Sequence, residues 1–397
     1  ALYVRTKLLS LLVLTAALSL GGDNRPAWHP VVDSGARLSE LFAKPPAEYS
    51  TSPFFVWNGD VTEADIDYFM ESYHAQGIQS VFIHPRPGLI TEYLSDRWFQ
   101  LVRYAVDKGA KLGMEVWLYD ENSYPSGFAG GHVPAQMPES YNEGQGLLLH
   151  RLDKLQPGDD RKFKIILRKD PDGVRNITFK AKEEIGKSGT YYAFELLSYA
   201  KKAWHGGYSY VDLLRPGVTR KFISVTMSGY QKALGKDLGH RVPGIFTDEP
   251  NIVPPRGKET LRWTPDLFEQ FTARWGYDLR PHLMSLYEET GDWKKVRHNY
   301  YALLLELFIE RWSKPWNDYA VTNGIFWTGH YWEHGWPSPN DGPDNMAMYA
   351  WHQVPSIDML FNQFREDVNA QFGNVRAVKE LSSVANQMGR RRTLSET

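Results

Sequence analysis

The sequence predicts an α/β fold, a (β/α)8 TIM-type barrel one strand short of closure and interrupted by a β-rich insertion. Three observations carry this expectation. From about residue 53, short apolar runs alternate with longer amphipathic stretches, the rhythm of parallel strands joined by helices. Nearly every run ends in polar, mostly ionisable, residues, and the strand C-termini are where such barrels gather their chemistry. Between 146 and 205 the rhythm gives way to β-like runs split by charged, glycine-containing turns.

The first run is Phe54-Phe55-Val56-Trp57. Thr62 with Glu63 opens a helix carrying Ile66, Phe69 and Tyr73 at helical spacing, which stops near Gly77. Ser80 to Ile83 is the second strand. A helix around Asp96 to Lys108 sets Trp98, Leu101, Val102 and Ala105 on one side, and Gly109 and Gly113 lead into the strand Met114 to Tyr119. In the insertion, Leu147 to Leu149, Phe163 to Leu167, Ile177 to Phe179 and Tyr191 to Leu196 read as strands. A helix from about Pro216 to Leu234 precedes the strand Gly244 to Thr247, and further strands are expected at Ile325 to Thr328, Ser356 to Met359 and Arg392 to Ser395. Helices around Tyr300 to Val321 and Phe361 to Met388 precede two of these. The domain boundaries expected are a signal peptide at 1–24, barrel at 25–145, the β-rich module at 146–205 and barrel again at 206–397. The count is seven strands, so the expectation is a C-terminally incomplete barrel whose longer form continues with an eighth strand and helix.

The 45 Lys plus Arg against 47 Asp plus Glu leave a formal charge of −2, without the basic excess that nucleic-acid binding requires. The absence of cysteine excludes disulfides, thiolate-bound zinc and thiol nucleophiles. Arg5 and Lys7 precede an apolar run, Leu8 to Leu20, ending near Ser19, Gly21 and Gly22. This reads as a secretory leader, too short for a spanning helix of roughly 20 residues, so a secreted or periplasmic protein without stable membrane insertion is expected. Aromatic residues make up 14% of the chain, enough to fill a core and still supply rings that stack on sugar faces.

The strand ends supply the candidate site: Asn58 and Asp60, His84, Asp120 and Glu121, Asp248 and Glu249, His330 with Trp332 and Glu333, Asp358, and Glu396. For any single member a helix cap or an ion pair is the commoner role, so the collective placement is the argument. The sharpest segment is Gly244-Ile-Phe-Thr-Asp-Glu-Pro250, which delivers two adjacent carboxylates. Neighbouring strand residues face opposite ways, so one of the pair is expected at the mouth unless the strand has already ended, and Glu249, with the longer reach, is favoured. Glycosidic bond cleavage needs two carboxyl groups on opposite sides of the bond, and this set provides them. No Gly-x-Ser-x-Gly elbow and no phosphate-binding loop is present. His330 and His334 are four apart, but Gly329 and the strand-end setting do not suit a zinc-binding helix, and hydrogen bonding to hydroxyls suits them better. Trp332 is the ring expected against a sugar. The glycine-rich Tyr124-Pro-Ser-Gly-Phe-Ala-Gly-Gly131 reads equally as a ligand loop or a structural turn.

Phe55-Val-Trp-Asn-Gly-Asp60, Val116-Trp-Leu-Tyr-Asp-Glu121, the Tyr124 to Gly131 stretch, Phe246-Thr-Asp-Glu-Pro250, Gly329-His-Tyr-Trp-Glu-His334 and Leu394-Ser-Glu-Thr397 together resemble glycoside hydrolase family 106. The likeness covers roughly 53 to 145 and 205 to 397. It implies an α-L-rhamnosidase-like, inverting hydrolase of plant-type glycans, an eightfold barrel with additional β domains, and a calcium ion near the bound sugar. By position, Glu396 resembles the general acid, and Glu249 or Glu333 a base or ion-binding carboxylate. Related barrels of unassigned specificity share these motifs. The competing expectations are a carbohydrate-binding barrel without catalysis, and a metal-dependent hydrolase using Asp120, Glu121 and Asp358 as oxygen ligands.

Overall fold

The computed structural model describes residues 34–46, 49–257, 260–332, 344–359 and 368–397, the last stretch as backbone only over 368–374. The expected leader, Glu333 and His334 lie outside the described residues. In chain order the strands are β1 (Phe54–Trp57), β2 (Ser80–Pro85), β3 (Glu115–Tyr119), β4 (Gly146–Lys154), β5 (Phe163–Asp170), β6 (Gly173–Asn176), β7 (Ser188–Leu197), β8 (Gly244–Thr247), β9 (Thr260–Arg262), β10 (Phe326–Gly329), β11 (Val354–Asp358) and β12 (Leu394–Glu396). Seven of them form one curled parallel sheet in the order β1-β2-β3-β8-β10-β11-β12. Each new strand joins beside its predecessor, the order expected of a half-barrel wound in one direction.

The two faces of this sheet have different partners because side chains alternate along each strand. One face carries Phe82, Trp117, Tyr119 and Phe246, with Phe54, Phe326 and Leu394 against them, a small aromatic cluster of its own. The other carries Phe55, Trp57, Ile83, Val116, Leu118, Ile245, Trp327 and Ile357, which join the main core beneath the helices. Among those helices, Glu63–Ala75 begins at a Thr62/Asp65 capping box, and Asp96–Leu112 runs from the Ser95 cap to Gly113 in the left-handed region at φ 70°. The helix expected at Tyr300 to Val321 is longer and interrupted: Trp293–Phe308, one π turn over Ile309–Ser313, then Lys314–Asn323.

The β-rich segment is a five-stranded antiparallel sheet ordered β6-β5-β7-β4-β9. Its last strand, β9, comes from beyond the expected boundary at 205 and pairs with β4. The expected strand Ile177 to Phe179 is not one. Instead β6 pairs with β5 in a tight hairpin, and the Asn176 side chain then accepts from the Thr178 amide at 3.0 Å, turning the chain into a 3-10 turn that leaves Phe179 99% exposed. The short β9 and the helix Leu267–Trp275 lie outside the sequence expectations.

By contacts the chain divides into residues 1–49 and 50–397. In the first unit, the helix Gly35–Ala43 starts at a Ser34 cap and buries none of its residues. No helix of the described residues is long and apolar enough to cross a membrane.

Candidate functional site

The aromatic face of the parallel sheet turns polar at the strand C-termini. Parallel register places His84 of β2 next to Tyr119 of β3, and Asp358 of β11 opposite Glu396 of β12. Register also brings His330, one residue past β10, level with Asp248, one residue past β8. His330 is the hub. Its Nε2 lies 3.0 Å from Glu396 Oε2 and 3.4 Å from Asp248 Oδ1, and its Nδ1 lies 3.2 Å from the Tyr331 carbonyl. His330 and Asp248 are buried, whereas the Glu396 side chain keeps 24% of its surface in solvent.

Asp248 is held from several sides. The Tyr119 hydroxyl donates to its Oδ2, its amide donates to Ser126 Oγ at 2.8 Å, and its carbonyl accepts from the Ser126 amide at 2.8 Å. Burial pushes the Asp248 carboxyl up to about 7; His330 opposes that shift and Glu396 adds to it. Glu249 follows at φ 45°, a left-handed conformation that a non-glycine side chain rarely adopts. Because β8 has ended at Thr247, strict alternation no longer separates the two carboxylates. Ligand atoms of Asp248, Glu249 and His330 all lie within 4.8 Å of one another. The strand has already ended, so the exception to one-sided placement applies and both join the cluster.

His84 is fully buried, stacked on Phe54 at 4.5 Å and edge-on to Tyr119 at 3.9 Å. Neither ring nitrogen has a hydrogen-bond partner among the described residues, and burial holds its pKa well below the ordinary histidine value. Asp358 is buried at the end of β11. Trp332 is half-buried.

The other expected members have different settings. Asn58 and Asp60 are exposed beyond β1. Asp120 is fully buried and accepts from Ser126 Oγ at 2.7 Å, and burial raises its pKa well above the carboxylate range. Glu121 is spent on the backbone of the glycine-rich loop. Its two oxygens accept from the amides of Asn122, Gly127, Phe128, Ala129 and Gly130, which leaves them no lone pair for a substrate. Burial still pushes its carboxyl up to about 8 against those donors. The residues missing from the sequence reading are Tyr119 and Ser126. Tyr119 shares the inward parity of Trp117, and Ser126 sits inside the glycine-rich stretch, so parity and loop position were the available signals.

Among the described residues the cluster supplies two carboxylates and one imidazole, and calcium takes six to eight oxygen ligands, so backbone carbonyls and waters would have to complete its shell. Among the described residues Asp120, Glu121 and Asp358 do not gather into one ligand set, although Asp120 Oδ2 is buried without a hydrogen-bond partner. A cavity of about 390 Å³ opens beside the glycine-rich loop, lined by Tyr93, Asn122, Gly130, His132 and Tyr208 among others; the Asp248, His330 and Glu396 side chains are not part of its wall.

No family model and no curated protein matches the sequence. Among solved structures, a rhamnosidase from Novosphingobium sp. PP1Y superposes with a TM-score of 0.63 at 15% identity, covering 93% of this chain and 53% of that one. Eubacterium rectale Amy13B matches at a TM-score of 0.34 and 10% identity, over 88% of this chain and 57% of that chain. This chain therefore spans little more than half the length of each. At these identities the first likeness speaks to architecture and the second carries no argument, so the conclusion is that this chain shares the fold of the corresponding half of that rhamnosidase.

Proposed function

We propose that this chain is the catalytic part of a glycoside hydrolase that removes terminal sugars, with α-L-rhamnose the first to test. The observation that carries the reading is the Asp248, His330, Glu396 chain at the strand C-termini, with Glu249 beside it. Glu396, partly open to solvent, is the proposed proton donor to the leaving oxygen, and Glu249 the proposed base on the facing side, as two-carboxylate glycosidic cleavage requires. Glu333 is the alternative base. Asp248, with its pKa raised to about 7, keeps a proton in the chain near neutral pH, next to the carboxyl that has to deliver one. Tyr119 and Ser126 position Asp248, and the eightfold barrel with export through the N-terminal leader belongs to the same proposal.

The test is hydrolysis of aryl glycosides by the full-length protein, starting with aryl α-L-rhamnoside, in the parent and in Glu396→Gln and Glu249→Gln. The expected loss is about 100-fold or more in kcat for each. Full activity in both variants would overturn the assignment of roles. Tight oligosaccharide binding without any product would replace catalysis by the binding-barrel reading.

A further inference from the structure

The loop that braces Asp248 also carries one ring of an exposed aromatic pair. Tyr124 lies two residues before Ser126, and its ring meets Trp204 edge-on at 5.4 Å. Trp204 comes from the 3-10 turn Ala203–His205 that follows the antiparallel sheet, and its indole Nε1 donates to the Tyr124 carbonyl. That bond fixes the orientation of a large ring while 40% of Trp204 and 37% of Tyr124 stay in solvent. The turn itself is pressed onto the glycine-rich loop, since a Cβ on Gly206 would stand 2.4 Å from the Gly130 carbonyl oxygen. A buried core has no use for such rings, whereas a rigid, half-open indole is what a sugar face stacks on.

Cations lie beside the pair and just before it in the chain. The Arg86 guanidinium lies 4.9 Å from the Tyr124 ring centroid. Arg86 follows His84 by two residues and bears electrostatically on both His84 and Tyr119, which places it beside the candidate site. Lys201 and Lys202, both exposed, directly precede the turn that carries Trp204. None of these three cations is within salt-bridge distance of a carboxylate among the described residues. Elsewhere on this molecule most arginines are paired: Arg97 with Glu63, Arg168 with Glu184, Arg274 with Glu306 and Glu310, Arg311 with Asp266. A guanidinium beside open rings, on a chain of net charge −2, is complementary to a carboxylate-bearing ring.

We infer that Tyr124, Trp204 and Arg86 form a subsite for an acidic sugar, a uronate residue of the glycan. This rests on the hydrolase reading for its place in the reaction, but its binding chemistry is independent of turnover. Trp204 stacks on the ring, and Arg86 donates paired N–H bonds to the carboxylate.

The experiment is calorimetric titration of the full-length protein with a galacturonic acid trimer and with the same trimer after reduction of its carboxyls. The acid form is expected to bind about tenfold or more tightly than the reduced form. Arg86→Gln abolishes that preference, and Trp204→Ala weakens both trimers by about tenfold. Far-ultraviolet circular dichroism checks that each variant is folded, and Arg86→Gln keeps the test decisive should the Trp204 variant fail that check. Equal affinity for the two trimers overturns the inference, as does competition by single-stranded DNA at equal charge, which would mean that the surface reads charge alone. Binding of the acid trimer through Trp204 without cleavage of any glycoside would leave the subsite standing and remove the hydrolase reading. Cleavage of glycosides without trimer binding would do the reverse.

Discussion

Asp248 and His84 are buried ionisable groups shifted in opposite directions, and each links pH to stability with its own sign. The folded Asp248 carboxyl titrates near 7, above its ordinary value of 3.8, because burial disfavours its charge. Below about pH 4 both folded and unfolded chains hold the proton, so the group contributes nothing. As pH rises from about 4 to 7 the unfolded chain releases the proton while the folded one keeps it, and stability falls. Asp248→Asn, which cannot ionise, is therefore expected to gain on the parent as pH rises through that window, with a slope on the order of 1.4 kcal/mol for each pH unit. Urea midpoints of both proteins at about pH 4.5 and pH 7.5 check this, and a gap that narrows with rising pH would contradict it. His84 works the other way: held neutral in the fold, it costs stability as pH falls below 6.5 and the unfolded chain takes up a proton. At this scale the sequence showed which carboxylates and histidines end strands but not which stay usable. Glu121 and Glu249 both follow an aspartate at a strand end, yet the first is consumed by five amides and the second faces His330, a difference set by the path of the loop that follows.

The seven strands of the parallel sheet were legible to within a few residues because most are short apolar runs bounded by glycine, proline or a polar cluster. What period-2 alternation adds is the assignment of faces, and it holds through β2, β3 and β8 until the strands end. The Ile177 to Phe179 misreading shows the limit: three apolar-rich residues are too few to outweigh an Asn176 side chain that turns the backbone. Gly244 makes the packing of β8 testable. A Cβ there would stand 2.2 Å from the Phe326 carbonyl oxygen and 2.6 Å from the Trp117 ring, on the face that carries the aromatic cluster. The carbonyl belongs to the backbone and cannot swing away, so Gly244→Ala is expected to cost about 3 kcal/mol, read from the urea midpoint. A loss below about 0.5 kcal/mol would mean that β8 does not sit this close to β10. The glycine-rich loop depends in the same way on one side chain. Glu121→Gln sets an amide NH2 against backbone donors and is expected to cost about 1–3 kcal/mol while raising proteolytic nicking between 121 and 131.

Over the whole of residues 50–397 the two sheets share a core. Leu147, Ile165, Leu167, Tyr192, Phe194 and Leu261 of the antiparallel sheet lie in the same buried cluster as Trp57, Val116, Ile245 and Trp327 of the parallel one. A sequence in which the β-like runs interrupt the strand and helix rhythm suggests a separable insertion, and no local pattern reveals that β9 returns to complete its sheet. The link has a polar centre in Arg262 of β9, whose Nη2 pairs with Asp212 Oδ1 while its Nη1 donates to Gln145 at 2.9 Å; Thr264 closes on Asp212 Oδ2 at 2.6 Å. Arg262 and Asp212 are both buried, at 2% and 3% side-chain exposure, so neither charge has water to fall back on. Asp212→Asn removes the countercharge of a buried guanidinium and is expected to cost about 3–5 kcal/mol. Because the pair ties β9 to the segment leading into the helix Val218–Leu234, the loss should fall on both sheets at once. Urea unfolding followed by tryptophan fluorescence and by far-ultraviolet circular dichroism should give one coincident transition in parent and variant, displaced to lower urea in the variant. If the variant instead unfolded in two steps, with the antiparallel strands lost first and the parallel sheet unmoved, the shared core would not couple the sheets, and the β-rich segment would have to be treated as an independent domain.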